Sequence, residues 1–149
     1  MDKLTDHFSL SEMTVSETAA RKGIDNTPSP AIIKNLTRTA QLLERVRVLL
    51  GSKPILVSSG YRSPALNAAV GGSKTSAHMQ GLAADFICPG FGTPLAICQR
   101  LDSLGVEFDQ LIQEGAWVHI GLAAEGIKPR RQVLTAKFSS VGTTYGSGL

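Results

Sequence analysis

Apolar residues recur at Ile32, Ile33, Leu36, Ala40, Leu43, Val46 and Leu50. Steps of three and four place them along one face of a helix. Ser29-Pro30 offers a capping hydroxyl followed by a proline at the first helical position, and Gly51 offers a stop. The pattern predicts the longest helix over about 30–50, its stripe facing the core. Shorter helices are predicted elsewhere. Ser9-Leu10-Ser11-Glu12 is a capping-box pattern, and Glu17–Lys22 precedes the stop signal Gly23. Asp25-Asn26-Thr27-Pro28 reads as a turn. Ser63-Pro64 opens a helix through Ala69, and Thr93-Pro94 opens one through Ser103.

The remaining apolar runs are short and partly β-branched. Ile55-Leu56-Val57 predicts a buried strand, and Leu82–Ile87 predicts another. Phe108–Gln113 and Trp117–Leu122 read as two strands joined through a two-residue loop, Gly115-Ala116. Arg131–Ala136 predicts a last strand. Gly71–Ser76 reads as a flexible loop, and the Gly/Ser/Thr-rich segment from Ser139 as a loose tail. Helices come first and hairpin-linked strands follow. That order predicts an α+β fold with N-terminal helices packed on a small, mainly antiparallel sheet, rather than alternating βαβ units. The 149 residues suit one domain, taken as residues 1–138, with 139–149 as the tail.

Composition narrows the function classes. With 42% apolar and 18% charged residues, the chain is neither disordered nor membrane-embedded in type. No apolar run approaches the roughly 18 residues of a bilayer span, so no membrane insertion is expected. The first eight residues, Met1 to Phe8, lack a basic segment followed by an apolar one. This predicts cytoplasmic synthesis without a signal peptide. A net charge of +3 favours anionic surfaces without choosing between them. Nucleic acid is not an expected partner, since no binding module is recognisable and aromatic residues make up only 5%. A monomer is expected. Cys88 and Cys98 form no CxxC pair and read as small buried hydrophobes.

The chemistry concentrates in few residues. The only histidines are His7, His78 and His119. A catalytic zinc site takes three protein ligands and keeps a fourth position open. His78, Asp85 and His119 satisfy that count, with His78 in a loop before the strand that carries Asp85. Gly81 between them lets the backbone turn. A carboxylate among Ala83, Ala84, Phe86 and Ile87 is costly to bury unless it is paired or binds a cation. On these residues alone, a capping role for Asp85 stands beside the metal reading.

Ser59-Gly60-Tyr61-Arg62-Ser63, Asn67, Ser76-x-His78-x-x-Gly81-x-Ala83-x-Asp85 and Trp117-x-His119 form an ordered set. Together they resemble the signature of the zinc D,D-carboxypeptidase family (metallopeptidase family fifteen), which also holds peptidoglycan endopeptidases. The likeness is to its short phage-type, endolysin-like members and runs from His7 to about Ala136. The resemblance implies a Hedgehog/D,D-peptidase type of fold and a Zn2+ cofactor held by His78, Asp85 and His119. It implies that Arg62 binds the scissile carbonyl or its oxyanion, a role suited to a fixed cationic fork. Tyr61 and Asn67 would be structural supports. Ser76 would bind substrate or orient its loop, and Trp117 would line the cleft or pack in the core.

Many members of that family carry an acid three residues before the last histidine, where this chain has Ala116. Glu114 is the candidate base instead. If Gly115-Ala116 is the hairpin loop, Glu114 faces Trp117 and Ile112 faces His119. Glu114 then lies diagonal to His119, roughly 7–8 Å away between Cα atoms, on the same face. Glu107 and Asp109 are fallback bases. His7 reads as structural, and Lys128, Arg130 and Arg131 as a solvated basic loop. The resemblance implies hydrolysis of a stem-peptide bond in peptidoglycan, between two D-alanines or between L-alanine and D-glutamate, for cell-wall lysis. Alternatives are a non-catalytic metal-containing module that binds wall or a partner, and a phage virion component of the same fold. Such a protein would meet the wall after release from the cell, or within a phage particle.

Overall fold

The computed structural model describes residues 2–149. A small hairpin, β1 (Lys3–Thr5) with β2 (Phe8–Ser9), precedes helices α1 (Leu10–Thr14), α2 (Glu17–Lys22) and α3 (Pro30–Leu49). Local chemistry sets their ends. Ser9 and Glu12 complete the capping box of α1, and Gly23 ends α2 in the left-handed conformation. Ser29 accepts the amide of Ile32 at the start of α3, with Pro30 at its first position. Next come β3 (Leu56–Ser59), α4 (Pro64–Ala69), a single 3₁₀ turn (Ala77–Gln80) and β4 (Ala83–Ile87). The chain finishes with α5 (Pro94–Ser103), β5 (Gln110–Gln113), β6 (Val118–Gly121), β7 (Gln132–Ser139) and β8 (Gly142–Ser147).

The six longer strands form one sheet in the order β3-β4-β6-β5-β7-β8. Every pairing is antiparallel except β5 with β7, because the chain crosses from β6 to the far side of β5 before β7 begins. The fold is thus the expected α+β domain with a mainly antiparallel sheet. One face carries the core. Ala84, Phe86, Leu111, Val118 and Ile120 point there and pack with Leu36, Leu43 and Val46 of α3 and Ile97 and Leu101 of α5. All ten are essentially inaccessible to water, and large side chains of this type contribute about 1.5–3 kcal/mol each on full burial. The opposite face is left to carry polar chemistry.

Two expectations change. Ile55-Leu56-Val57 is not a buried strand: β3 starts at Leu56, lies at the sheet edge and leaves Leu56 half exposed, while Ile55 alone is buried. A β-branched run fits an edge strand as well as a central one. The loose tail expected from Ser139 instead contains β8, which pairs with β7 from Leu134↔Ser147 to Ser139↔Gly142. Backbone pairing is indifferent to the small polar side chains that made this segment read as a tail.

Gly60 joins the site to the helices. A Cβ there would collide with the backbone of Met13 in α1, and Tyr61 donates its amide to the Met13 carbonyl at 2.7 Å. The Gly60 carbonyl is also a partner of His78. Gly60→Ala is expected to cost about 1–3 kcal/mol of stability through overpacking. It should also weaken zinc affinity about 10- to 100-fold by shifting the support of His78, one of the expected ligands. Thermal unfolding and zinc titration of the variant check both effects.

Candidate metal and active site

The polar face of the sheet is organised in rows. Ser59, Asp85, His119, Ile112 and Leu134 are successive cross-strand partners on β3, β4, β6, β5 and β7. Direct pairing brings Asp85 and His119 together although 34 positions separate them: His119 Nδ1 lies 2.9 Å from Asp85 Oδ1. His78 arrives from the 3₁₀ turn rather than from a loop. Ser76 caps that turn by accepting the His78 amide, and Gly81 closes it at φ +73°. Only glycine adopts that φ without strain.

The His78 ring is almost wholly buried, and its Nδ1 donates to the Gly60 carbonyl at 2.6 Å. That bond fixes the tautomer and leaves a lone pair on Nε2. Nε2 has no hydrogen-bond partner, yet lies 3.3 Å from Asp85 Oδ1. A buried lone pair facing a carboxylate oxygen calls for a cation between them. One ligand atom from each of His78, Asp85 and His119 lies within 4.8 Å of the others. Tetrahedral zinc with bonds of about 2.0–2.1 Å needs ligand atoms about 3.3 Å apart; Asp85 Oδ1 lies 3.3 Å from His78 Nε2 and 2.9 Å from His119 Nδ1. Two nitrogens and one oxygen are a zinc donor set, so these residues fit the ion.

Electrostatics favour the ligating forms. Burial pushes the His78 pKa down and keeps its ring neutral. Burial alone would raise the pKa of Asp85, but His119 and His78 outweigh it and hold the carboxylate ionised far into acid. The Arg62 guanidinium adds a positive charge, with Nη2 3.8 Å from Asp85 Oδ2. Arg62 is itself clamped: Nη1 donates to Asn67 Oδ1 at 3.0 Å and Nε to Ser59 Oγ at 3.3 Å. Asn67 Nδ2 in turn donates to the Ser73 carbonyl at 2.8 Å, tying the arginine to the loop beside the cleft.

Gly72 completes the clamp. A Cβ at this position would overlap the Asn67 amide and come within 2.7 Å of Arg62 Nη1. Nothing in the local sequence pattern singled out Gly72; its role appears only when α4 and the loop meet. Gly72→Ala is expected to displace the guanidinium and lower kcat about 10- to 100-fold while zinc stays bound. Steady-state kinetics with metal analysis check the prediction.

The hairpin register is the one read from the sequence. Ile112 pairs with His119, Gln113 with Val118, and Glu114 donates its amide to the Trp117 carbonyl at 3.0 Å. Glu114, Trp117, Ser76, Arg62 and the His78–Asp85–His119 cluster all line one cleft of about 490 Å³. Burial raises the Glu114 pKa, and the Asp85 charge adds to this against the opposing pull of His119. Ser76 caps the 3₁₀ turn and faces the cleft at once. Trp117 stands in the cleft wall, half-buried, rather than in the central core.

The other candidates are engaged differently. Asp109 also lines this cleft but is held by Arg130, at 2.7 Å between Oδ2 and Nη2. Glu107 lines a separate depression with Arg38 and Arg45. Arg131 is paired with Asp102 and lies over the Phe108 ring, so the two arginines of the basic cluster are anchored while Lys128 is exposed as expected. His7 pairs with Glu44, away from the cleft. Both cysteines are buried, and burial pushes the Cys98 thiol up to about 12.

The family model for peptidase M15 matches residues 6–121, which takes in His78, Asp85 and His119 as well as Arg62 and Glu114. The chain belongs to the peptidase M15 family. Within this M15 chain, a 51-residue stretch is 45% identical to the zinc D-Ala-D-Ala carboxypeptidase of Streptomyces albus G. That stretch is 34% of the chain and only 20% of the Streptomyces enzyme. M15 membership and the His-Asp-His donor set together indicate zinc as the metal. Strands β7 and β8 both lie beyond the M15 match.

Proposed function

We propose that this chain is a zinc-dependent peptidase acting on the stem peptides of peptidoglycan. The observation that carries the proposal is the buried His78–Asp85–His119 cluster opening into a cleft that also holds Arg62 and Glu114. When bound, zinc acidifies water and polarises a carbonyl. The chain's own residues supply the rest. Glu114 takes a proton from the attacking water and passes it to the departing amine as the C–N bond breaks. Arg62, held by Asn67 and Ser59, meets the negative charge that grows on the carbonyl oxygen. Trp117 and the 71–76 loop wall the peptide.

Both D-Ala–D-Ala carboxypeptidase and L-Ala–D-Glu endopeptidase activity fit this chemistry. The shape of the surface favours the second. A groove of about 550 Å³, lined by Glu17, Thr18, Ser58 and Val70, shares Arg62 and Asp85 with the cleft. Space on both sides of the arginine accommodates a chain that continues past the cleaved bond. In this reading the protein acts in cell-wall lysis, reaching the wall after release or within a phage particle. The absence of an acid at Ala116 supports a second reading, a metal-containing module that binds wall without cutting it.

Mass spectrometry of muropeptides incubated with the zinc-loaded protein distinguishes these. Loss of one terminal alanine marks a carboxypeptidase. A disaccharide left with L-alanine, plus a free peptide, marks the endopeptidase. Binding with no released product by a fully zinc-loaded protein would establish the second reading.

A further inference from the structure

We propose that Tyr145, carried on the C-terminal hairpin, is a positioning residue for Glu114, its phenol holding the carboxylate over the metal cluster and closing one end of the cleft. The inference rests on the peptidase reading for its functional consequence and on sheet geometry for its structure. Gln113 of β5 pairs with Thr135 of β7, so the next row sets Glu114 beside Ala136. Ala136 pairs with Tyr145 of β8. Glu114, Ala136 and Tyr145 thus stand in one row across three strands, two residues along from the row of Ile112, Leu134 and Ser147. Side chains in this row share the face that carries His119.

The middle residue makes the contact possible. Two strand spacings separate the outer backbones by about 9–10 Å. A glutamate and a tyrosine span that gap only when the residue between them is small, and Ala136 is small and buried. Both outer side chains line the same cleft, and Tyr145 stands half-exposed at its edge with its phenol on the side of the Glu114 carboxylate. The hairpin also touches the turn after Glu114. Gly115 sits at φ +85°, and a Cβ there would press to 3.1 Å from the Phe138 ring of β7. The segment that reads as a polar tail thereby steadies the base from beyond the residues matched to the family.

A glutamate with a free flank samples many rotamers, few of them aimed at the cluster. A phenol donor on one oxygen restricts the carboxylate and leaves its other oxygen to accept the proton. The titratable or charged groups nearest this pair are Asp85, His119 and Arg62, none of which lies on the hairpin.

Two measurements on the zinc-loaded 149-residue chain test the proposal. The chain has two tyrosines, Tyr61 and Tyr145, so ¹³Cζ-tyrosine labelling gives two resolvable ring signals. Glu114→Gln removes the negative charge beside the Tyr145 phenol. Tyr145 should then ionise at lower pH while Tyr61 is unmoved. Tyr145→Phe should lower kcat about 10- to 100-fold with KM and zinc content unchanged, because only the aim of the base is lost. An unmoved Tyr145 ionisation in the Gln variant, or wild-type kcat in the Phe variant, overturns the proposal. If the wild type releases no wall peptide, the peptidase reading fails, and the tyrosine signals still decide whether the phenol holds Glu114.

Discussion

Asp85→Ala is expected to abolish zinc binding and with it all measurable turnover. Asp85 is the hub of the cluster: both imidazoles and the Arg62 guanidinium converge on its two oxygens. Its removal takes away one ligand and the charge that balances the other groups. A bound metal supplies several kcal/mol of transition-state stabilisation. At about 1.36 kcal/mol per tenfold, its loss lowers kcat/KM by at least about 10³-fold. Zinc content after dialysis should fall from one equivalent per chain to near none, and added zinc should not restore activity. Circular dichroism separates this outcome from unfolding. Retention of tightly bound zinc by the variant would contradict the ligand set.

Glu114→Gln is expected to keep zinc and lose turnover by about 10²- to 10⁴-fold, the range for removal of a general base. The change is nearly isosteric, and Glu114 is not one of the three ligands, so the metal should stay. The pH profile carries a second signature. Burial, with help from the Asp85 charge, raises the Glu114 pKa. The base acts when ionised, so kcat/KM should fall as pH drops through the Glu114 pKa. In the Gln variant that acid limb should vanish from the residual activity. A limb that persists unchanged would assign it to another group, and wild-type turnover would remove Glu114 from the mechanism.

Much of the local structure was legible because its causes are local. Capping pairs such as Ser29-Pro30 and Thr93-Pro94 fix helix starts through bonds to amides three residues on. The Gly115-Ala116 loop fixes the β5–β6 register, and that register puts Glu114 on the face of His119. Segments whose fate depends on distant partners were less legible. The edge position of β3 is decided by the absence of a neighbour beyond Leu56, which no property of Leu56 announces. The pairing of β8 is decided by backbone groups, which every non-proline residue carries alike.

The same division runs through the site. By itself, the sequence determined which side chains are chemically able to hold a metal, since only three histidines occur and one carboxylate stands in an otherwise apolar strand. It also determined the short-range geometry, because turns and caps act over a few residues. Only the tertiary structure decided that the imidazole of His78 is oriented by the Gly60 carbonyl, that Gly72 leaves room for the Arg62 clamp, and that Tyr145 of the last strand lines the same cleft as Glu114. The physical reason is range. Hydrogen bonds and steric exclusion act over a few ångströms, and only the completed sheet and its packed helices bring residues so far apart in the chain within that distance.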